Sequence, residues 1–110
     1  MDHSILSDVR SMIGPDVADV FDNDLIIHIN AQLSTLAQVG ACQKGSMISG
    51  ASDKWQDIFT DQAICSKAKT FIFYQTKLGF DPPQNSFAIE NYKALAAEEL
   101  WRINSDADYE

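Results

Sequence analysis

Long hydrophobic runs are missing from this chain. No uninterrupted apolar stretch approaches the ~20 residues needed to cross a bilayer, although apolar residues make up 45% of the composition. The first residues include Asp2, His3 and Asp8, which do not match the basic-then-apolar profile of a secretory signal. A soluble, intracellular protein is expected. Cysteine is scarce: Cys42 and Cys65 fall outside any CxxC spacing, and two cysteines rarely define a secreted disulfide scaffold. Cys65, beside Ile64 in a helical pattern, reads as a small buried or half-buried hydrophobe, and Cys42 as an incidental loop thiol.

Bases are scarce as well. Eight Lys and Arg stand against sixteen Asp and Glu, a net charge of −8. The imbalance sits at the ends: residues 1–43 carry six acids against Arg10, and residues 94–110 carry five against Arg102. The middle, with six lysines and five acids, is near neutral. A protein that grips phosphates needs clustered Lys and Arg, so that class is disfavoured. Such a charge keeps a small domain soluble. It also suits a surface that faces nucleic acid and must not stick to it.

Catalytic constellations are absent too. His3 and His28 are far apart in sequence, and a metal site built on them lacks two further ligands at sensible spacing. Glu98 and Glu99, adjacent on a helix, point their carboxylates in different directions. Ser, His and Asp occur without a strand-to-helix nucleophile turn, and Gly45-Ser46 lacks the rest of a phosphate loop. No enzyme is visible, and no cofactor or metal is implied.

What is present is helical periodicity. At 110 residues the chain allows one domain, burying roughly 60–70% of its unfolded surface. A first helix is expected over Ser4–Ile13, with Ile5, Val9, Met12 and Ile13 on one side and Gly14-Pro15 as its stop. A second follows Asp22-Asn23-Asp24; Leu25, Ile29, Leu33 and Leu36 lie within about 80° of one another, and Gly40 ends it. Residues 40–52 form a Gly/Ser-rich loop holding Gly40, Gly45 and Gly50. Asp53-Lys54-Trp55-Gln56 has capping-box order and opens a brief turn through Phe59.

A third helix spans roughly Asp61–Leu78, with Ile64, Ala68, Phe71, Ile72 and Leu78 inward and Gly79 as stop. Phe80-Asp81-Pro82-Pro83 then forces a turn, because neither proline can donate a helical hydrogen bond. A fourth helix runs from Ser86 to about Asn104, with Ile89, Tyr92, Ala96, Leu100 and Ile103 inward and Phe87 set against the double-proline turn. The expected fold is all-α: a small bundle of about four helices in residues 1–104, followed by an acidic tail at 105–110.

Bulky residues off the core stripes carry the functional signal. Ile27 lies about 160° from the centre of the second helix's apolar face and Trp101 about 140° from that of the fourth. Phe73 sits opposite the core face of the third, flanked by Lys69 and Lys77. One exposed apolar residue means little. Three on three helices point to a protein–protein surface, and the lysines beside Phe73 suit acidic partners such as the ends of this chain itself.

Over Ile29–Leu36, Phe80–Pro83, Ser86-Phe87 and Glu99–Asn104, the chain resembles the head–tail connector, or adaptor, proteins of long-tailed bacteriophages and related prophages. The order and spacing run from Leu6-Ser7-Asp8-Val9-Arg10 to Asn104; residues 40–60 add little to the likeness. The resemblance implies a non-enzymatic, cofactor-free helical subunit. It would assemble in the host cytoplasm into a ring, commonly of twelve, under the portal protein at the virion neck. DNA would pass through its channel without specific binding, and a downstream head-completion or tail protein would dock on it, with no membrane involved. On that basis Ile27, Phe73, Lys69 and Lys77 are candidates for the subunit interface. Trp101, Arg102, Asp106 and Tyr109 are candidates for portal contact, and Met47 and Ile48 for the lumen or the downstream partner. The alternative is an acidic helical regulator or inhibitor of a basic protein. A helix-turn-helix DNA binder would need a basic recognition helix, and the third helix offers only lysines.

Overall fold

Ser4 opens the first helix. Its Oγ accepts the Ser7 backbone N–H at 3.1 Å, satisfying one of the donors that a helix start leaves unpaired. The computed structural model describes residues 4–14, 21–50, 52–80, 82 and 84–108, with side chains through Ser105. The helices are α1 (Ile5–Ile13), α2 (Asp22–Gln38), α3 (Trp55–Ile58), α4 (Gln62–Phe80) and α5 (Ser86–Asp108). No strand occurs among the described residues; one isolated antiparallel bridge joins Ser4 to Lys54. The protein is an all-α bundle. The brief turn expected at Trp55 is α3.

α4 is the central helix. It packs against α5, α2 and α1, and α1 also packs on α2. The α2 stripe is realised in full: Leu25, Ile29, Leu33 and Leu36 are completely buried. Each such side chain contributes roughly 1.5–3 kcal/mol relative to exposure. From α4, Ile64, Ala68, Phe71 and Ile72 join them, whereas Leu78 is half-buried. On α1 the inward set is Ile5, Leu6, Val9 and Ile13; Leu6 takes the place expected for Met12, which is exposed.

Helix α2 ends in a Schellman arrangement. Gly40 adopts φ 87°, its N–H reaches the Ala37 carbonyl at 3.1 Å, and the Ala41 N–H reaches the Leu36 carbonyl at 2.9 Å. At the other end Asp22 is not a cap. Its carboxylate receives a bidentate grip from Arg10, Nη2 at 2.9 and 2.8 Å and Nε at 3.1 Å, which ties α1 to α2.

The loop after α2 is held at both ends. Asn30 on α2 clamps Ile48: Oδ1 accepts the Ile48 N–H at 2.7 Å and Nδ2 donates to its carbonyl at 3.1 Å. Asp53 is not the cap of α3. Its Oδ2 accepts the Ser49 and Gly50 N–H groups at 2.8 and 3.2 Å, while the Lys54 N–H turns to Asp57 at 3.1 Å. The cap is therefore displaced by one residue, because Asp53 has the tighter loop to close. Its carbonyl also takes the Ile5 N–H at 2.9 Å, and Trp55 Nε1 donates to Asp8 Oδ2 at 2.7 Å.

Gly79 does not stop α4, which continues through it to Phe80. It permits a close approach instead. A Cβ there would lie 2.8 Å from His28 Cε1 and 3.0 Å from Nδ1, so the missing side chain is the space the imidazole occupies. Helix α5 runs past Asn104 to Asp108, into the stretch expected to be a loose tail. Tyr109 and the following residue lie outside the described residues.

Candidate interaction surface

The turn chemistry after α4 sets where α5 begins: Asn85 Oδ1 accepts the Phe87 N–H at 2.7 Å, capping the helix. From there α5 runs along α4. Among its described side chains Ala96 and Ile103 are fully buried, with Ile89, Tyr92 and Leu100 half-buried. Many of the other described side chains of this 23-residue helix, Phe87, Glu90, Ala94, Ala97, Glu98 and Trp101 among them, are exposed. It carries two of the largest exposed apolar groups of the chain, Phe87 at 82% and Trp101 at 69% of full accessibility. Phe87, expected against the double-proline turn, projects from the first turn of its helix; Asp81 and Pro83 of that turn lie outside the described residues.

The expected site residues separate into three groups. Ile27 is 67% exposed on the outer face of α2, as its off-stripe position implies. Ala31, Ser34 and Gln38 continue that face, all exposed. Phe73 is different. It is half-buried, its ring 5.3 Å from Tyr74 and 6.4 Å from Tyr92 of α5, because α5 brings aromatic cover that a single-helix projection cannot show. Lys69 is likewise engaged, its Nζ 5.1 Å over the Trp55 ring, and Lys77 is half-buried.

Met47 and Ile48, paired in expectation, part company. Met47 is exposed at 65%, whereas Ile48 is only 2% exposed and belongs to the core. The Asn30 clamp fixes the loop so that alternate residues face opposite ways; Ile48 cannot meet a partner. Arg102 is exposed but already engages Glu98 at 3.5 Å and Glu99 at 3.8 Å on its own helix. Of the acidic end, Asp106 lies within α5, its side chain outside the described set, and Tyr109 is outside altogether.

An open groove of about 470 Å³ lies beside Met47, lined by Asn30, Ser34, Ala37, Gln38, Lys44 and the Gly45–Met47 segment. Its lining carries no carboxylate and one base, Lys44. Sequence reasoning missed this feature, since it needs the loop folded back onto α2. It also missed Phe87 as a surface group, although the seven-residue spacing Phe87, Ala94, Trp101 was there to be read.

Chemistry of other kinds is sparse among the described residues. No group of three or more His, Cys, Asp or Glu side chains is placed to hold a metal ion. Burial pushes both thiols above the ordinary cysteine range; Ser46 beside Cys42 and Lys69 near Cys65 counteract only part of that. No described helix is long and apolar enough to cross a membrane.

No curated protein and no solved structure matches the chain significantly. A family model described as phage connector protein does, over residues 5–110. The match takes in every helix of the bundle, from the first residue of α1 to beyond the last of α5, and the chain belongs to the phage connector protein family.

Proposed function

We propose that this connector is a head–tail adaptor subunit: copies join in a ring below the portal, extend the DNA channel and present a docking face to the next head-completion or tail protein. The observation that carries the reading is the family match across residues 5–110. Three properties of the molecule support it. Large apolar side chains stand exposed on separate elements, Ile27 on α2, Met47 on the loop, and Phe87 and Trp101 on α5. That is a pattern of a subunit with more than one neighbour. The net charge of −8 suits a channel wall that repels phosphate and so releases DNA in either direction. The helical bundle buries its own core, so these groups are surplus to folding. The role is structural.

We assign Phe73, Lys69 and Lys77, with much of their surface already used within the subunit, to the margin of the subunit contact, and the exposed Ile27 to the contact itself. The acidic end from Arg102 onward is assigned to the portal side. Native mass spectrometry of the purified protein, alone and mixed with its portal, tests the reading. A cyclic oligomer in at least one of the two samples is expected. A tight one-to-one complex with a basic protein, and no ring under either condition, would refute it.

A further inference from the structure

Two outer faces remain uncovered, on helices that flank α4. On α5, Phe87, Ala94 and Trp101 recur every seven residues, with Glu90 and Ala97 between them, and all five are exposed. Seven residues fall about 20° short of two full turns, so the three stay on one stripe. Phe87 and Trp101 stand about 21 Å apart along the axis. Between the two aromatics lie Ala94 and Ala97, and the exposed Asn91 and Glu98 share the same face. On α2 the exposed stripe is Ile27, Ala31, Ser34 and Gln38, spanning about 16 Å. It has a bulky residue at one end, small ones in the middle and, alongside Asn30, Ser34 and Gln38, the groove that reaches to Lys44 and Met47.

The two faces are complementary in shape. An edge with an aromatic at each end meets an edge with Ile27 at one end and a hollow at the other, and Ala94 and Ala97 against Ala31 and Ser34 allow close approach of the helices between those ends. They are complementary in charge as well. The groove has Lys44 and no carboxylate, while the α5 face carries Glu90 and Glu98, each also paired with a base of its own helix, Lys93 at 3.4 Å and Arg102 at 3.5 Å. An indole seated there would have Lys44 and Met47 beside it, a cation and a polarisable sulfur that both favour aromatic faces.

We infer that consecutive copies of this chain join through α5 of one and α2 of the next. Trp101 enters the groove between α2 and the 44–47 loop, Ala94 and Ala97 lie over Ala31 and Ser34, and Phe87 reaches the Ile27 end. The inference rests on the ring reading above, and it moves Trp101 from the portal side to the subunit contact. The joined faces are different surfaces of the same subunit. Such a contact is heterologous, so it propagates from copy to copy rather than stopping at a pair, and it gives a ring when its rotation closes.

A photo-reactive phenylalanine analogue at position 101, activated in rings assembled from the full chain with or without portal, locates the neighbour. Mass spectrometry is expected to find it joined to the segment 37–47 of another copy. Joining to α5 of another copy, or to the portal, would overturn the assignment. Trp101→Ala is expected to weaken assembly by roughly 30-fold, the scale of an interface hot spot, with helicity and melting unchanged. Lys44→Glu and Glu98→Lys should each weaken assembly several-fold, and the double variant should recover most of the loss. Rings that form as before with Trp101→Ala reject this contact and leave the ring itself standing. A wild-type protein that never forms a ring removes both.

Discussion

Helices α2 and α5 are the natural pair to compare, since both flank α4 and both carry an apolar stripe. In 17 residues α2 buries five side chains, Leu25, Ile29, Leu33, Leu36 and Ala37. Among the described side chains of the 23-residue α5, two are fully buried, Ala96 and Ile103. Polar contacts differ in the same sense. α2 holds α1 through Asp22 and the loop through Asn30, whereas the ion pairs found on α5 among the described residues, Lys93–Glu90 and Arg102 with Glu98 and Glu99, lie within the helix. The lesson is one of division. α2 organises the subunit, and α5 spends its length on a surface.

Substitutions can break that division or sharpen it. The largest effect is expected at Leu33→Ala, which empties a fully buried site on α2 and should lower stability by about 2–5 kcal/mol in chemical denaturation. Asn30→Ala removes both halves of the Ile48 clamp and leaves a backbone donor and acceptor unpaired. A loss of about 1–3 kcal/mol is expected, with faster amide exchange at Ile48.

Gly79→Ala tests the α2–α4 approach by its sign. A helical Gly→Ala change ordinarily adds up to about 1 kcal/mol. Here the new methyl would meet His28, so melting should fall by the equivalent of about 1–2 kcal/mol. In a His28→Ala background the same change should stabilise. The smallest effect belongs to the outer face of α5: Phe87→Ser is expected to shift stability by less than about 0.5 kcal/mol. A large loss there would mean that α5, too, builds the subunit core, and the contrast between the helices would collapse.

Much of the fold was legible because helical periodicity is a local property. Leu25, Ile29, Leu33 and Leu36, and Ile64, Ala68, Phe71 and Ile72, show their face at a spacing of three or four residues, and all eight are buried. The stop at Gly40 was legible for the same reason. The errors fell where a residue's role depends on what arrives from elsewhere in the chain. Gly79 looked like a terminator, yet His28, on another helix, decides its use. Phe73 looked free until Tyr92 of α5 came beside it, and Asp53 looked like a cap until the loop gave it Ser49 and Gly50. Ile48 and Met47 could not be told apart by hydrophobicity.

Sequence alone determined the all-α class, the main core stripes, the acidic ends and the family likeness, because each is written in spacing or composition along the chain. Tertiary structure alone decided which apolar groups stay uncovered, how the loop folds onto α2 and where a groove opens beside Lys44 and Met47. Exposure is a relation between distant segments, and only the packing of one helix on another sets it.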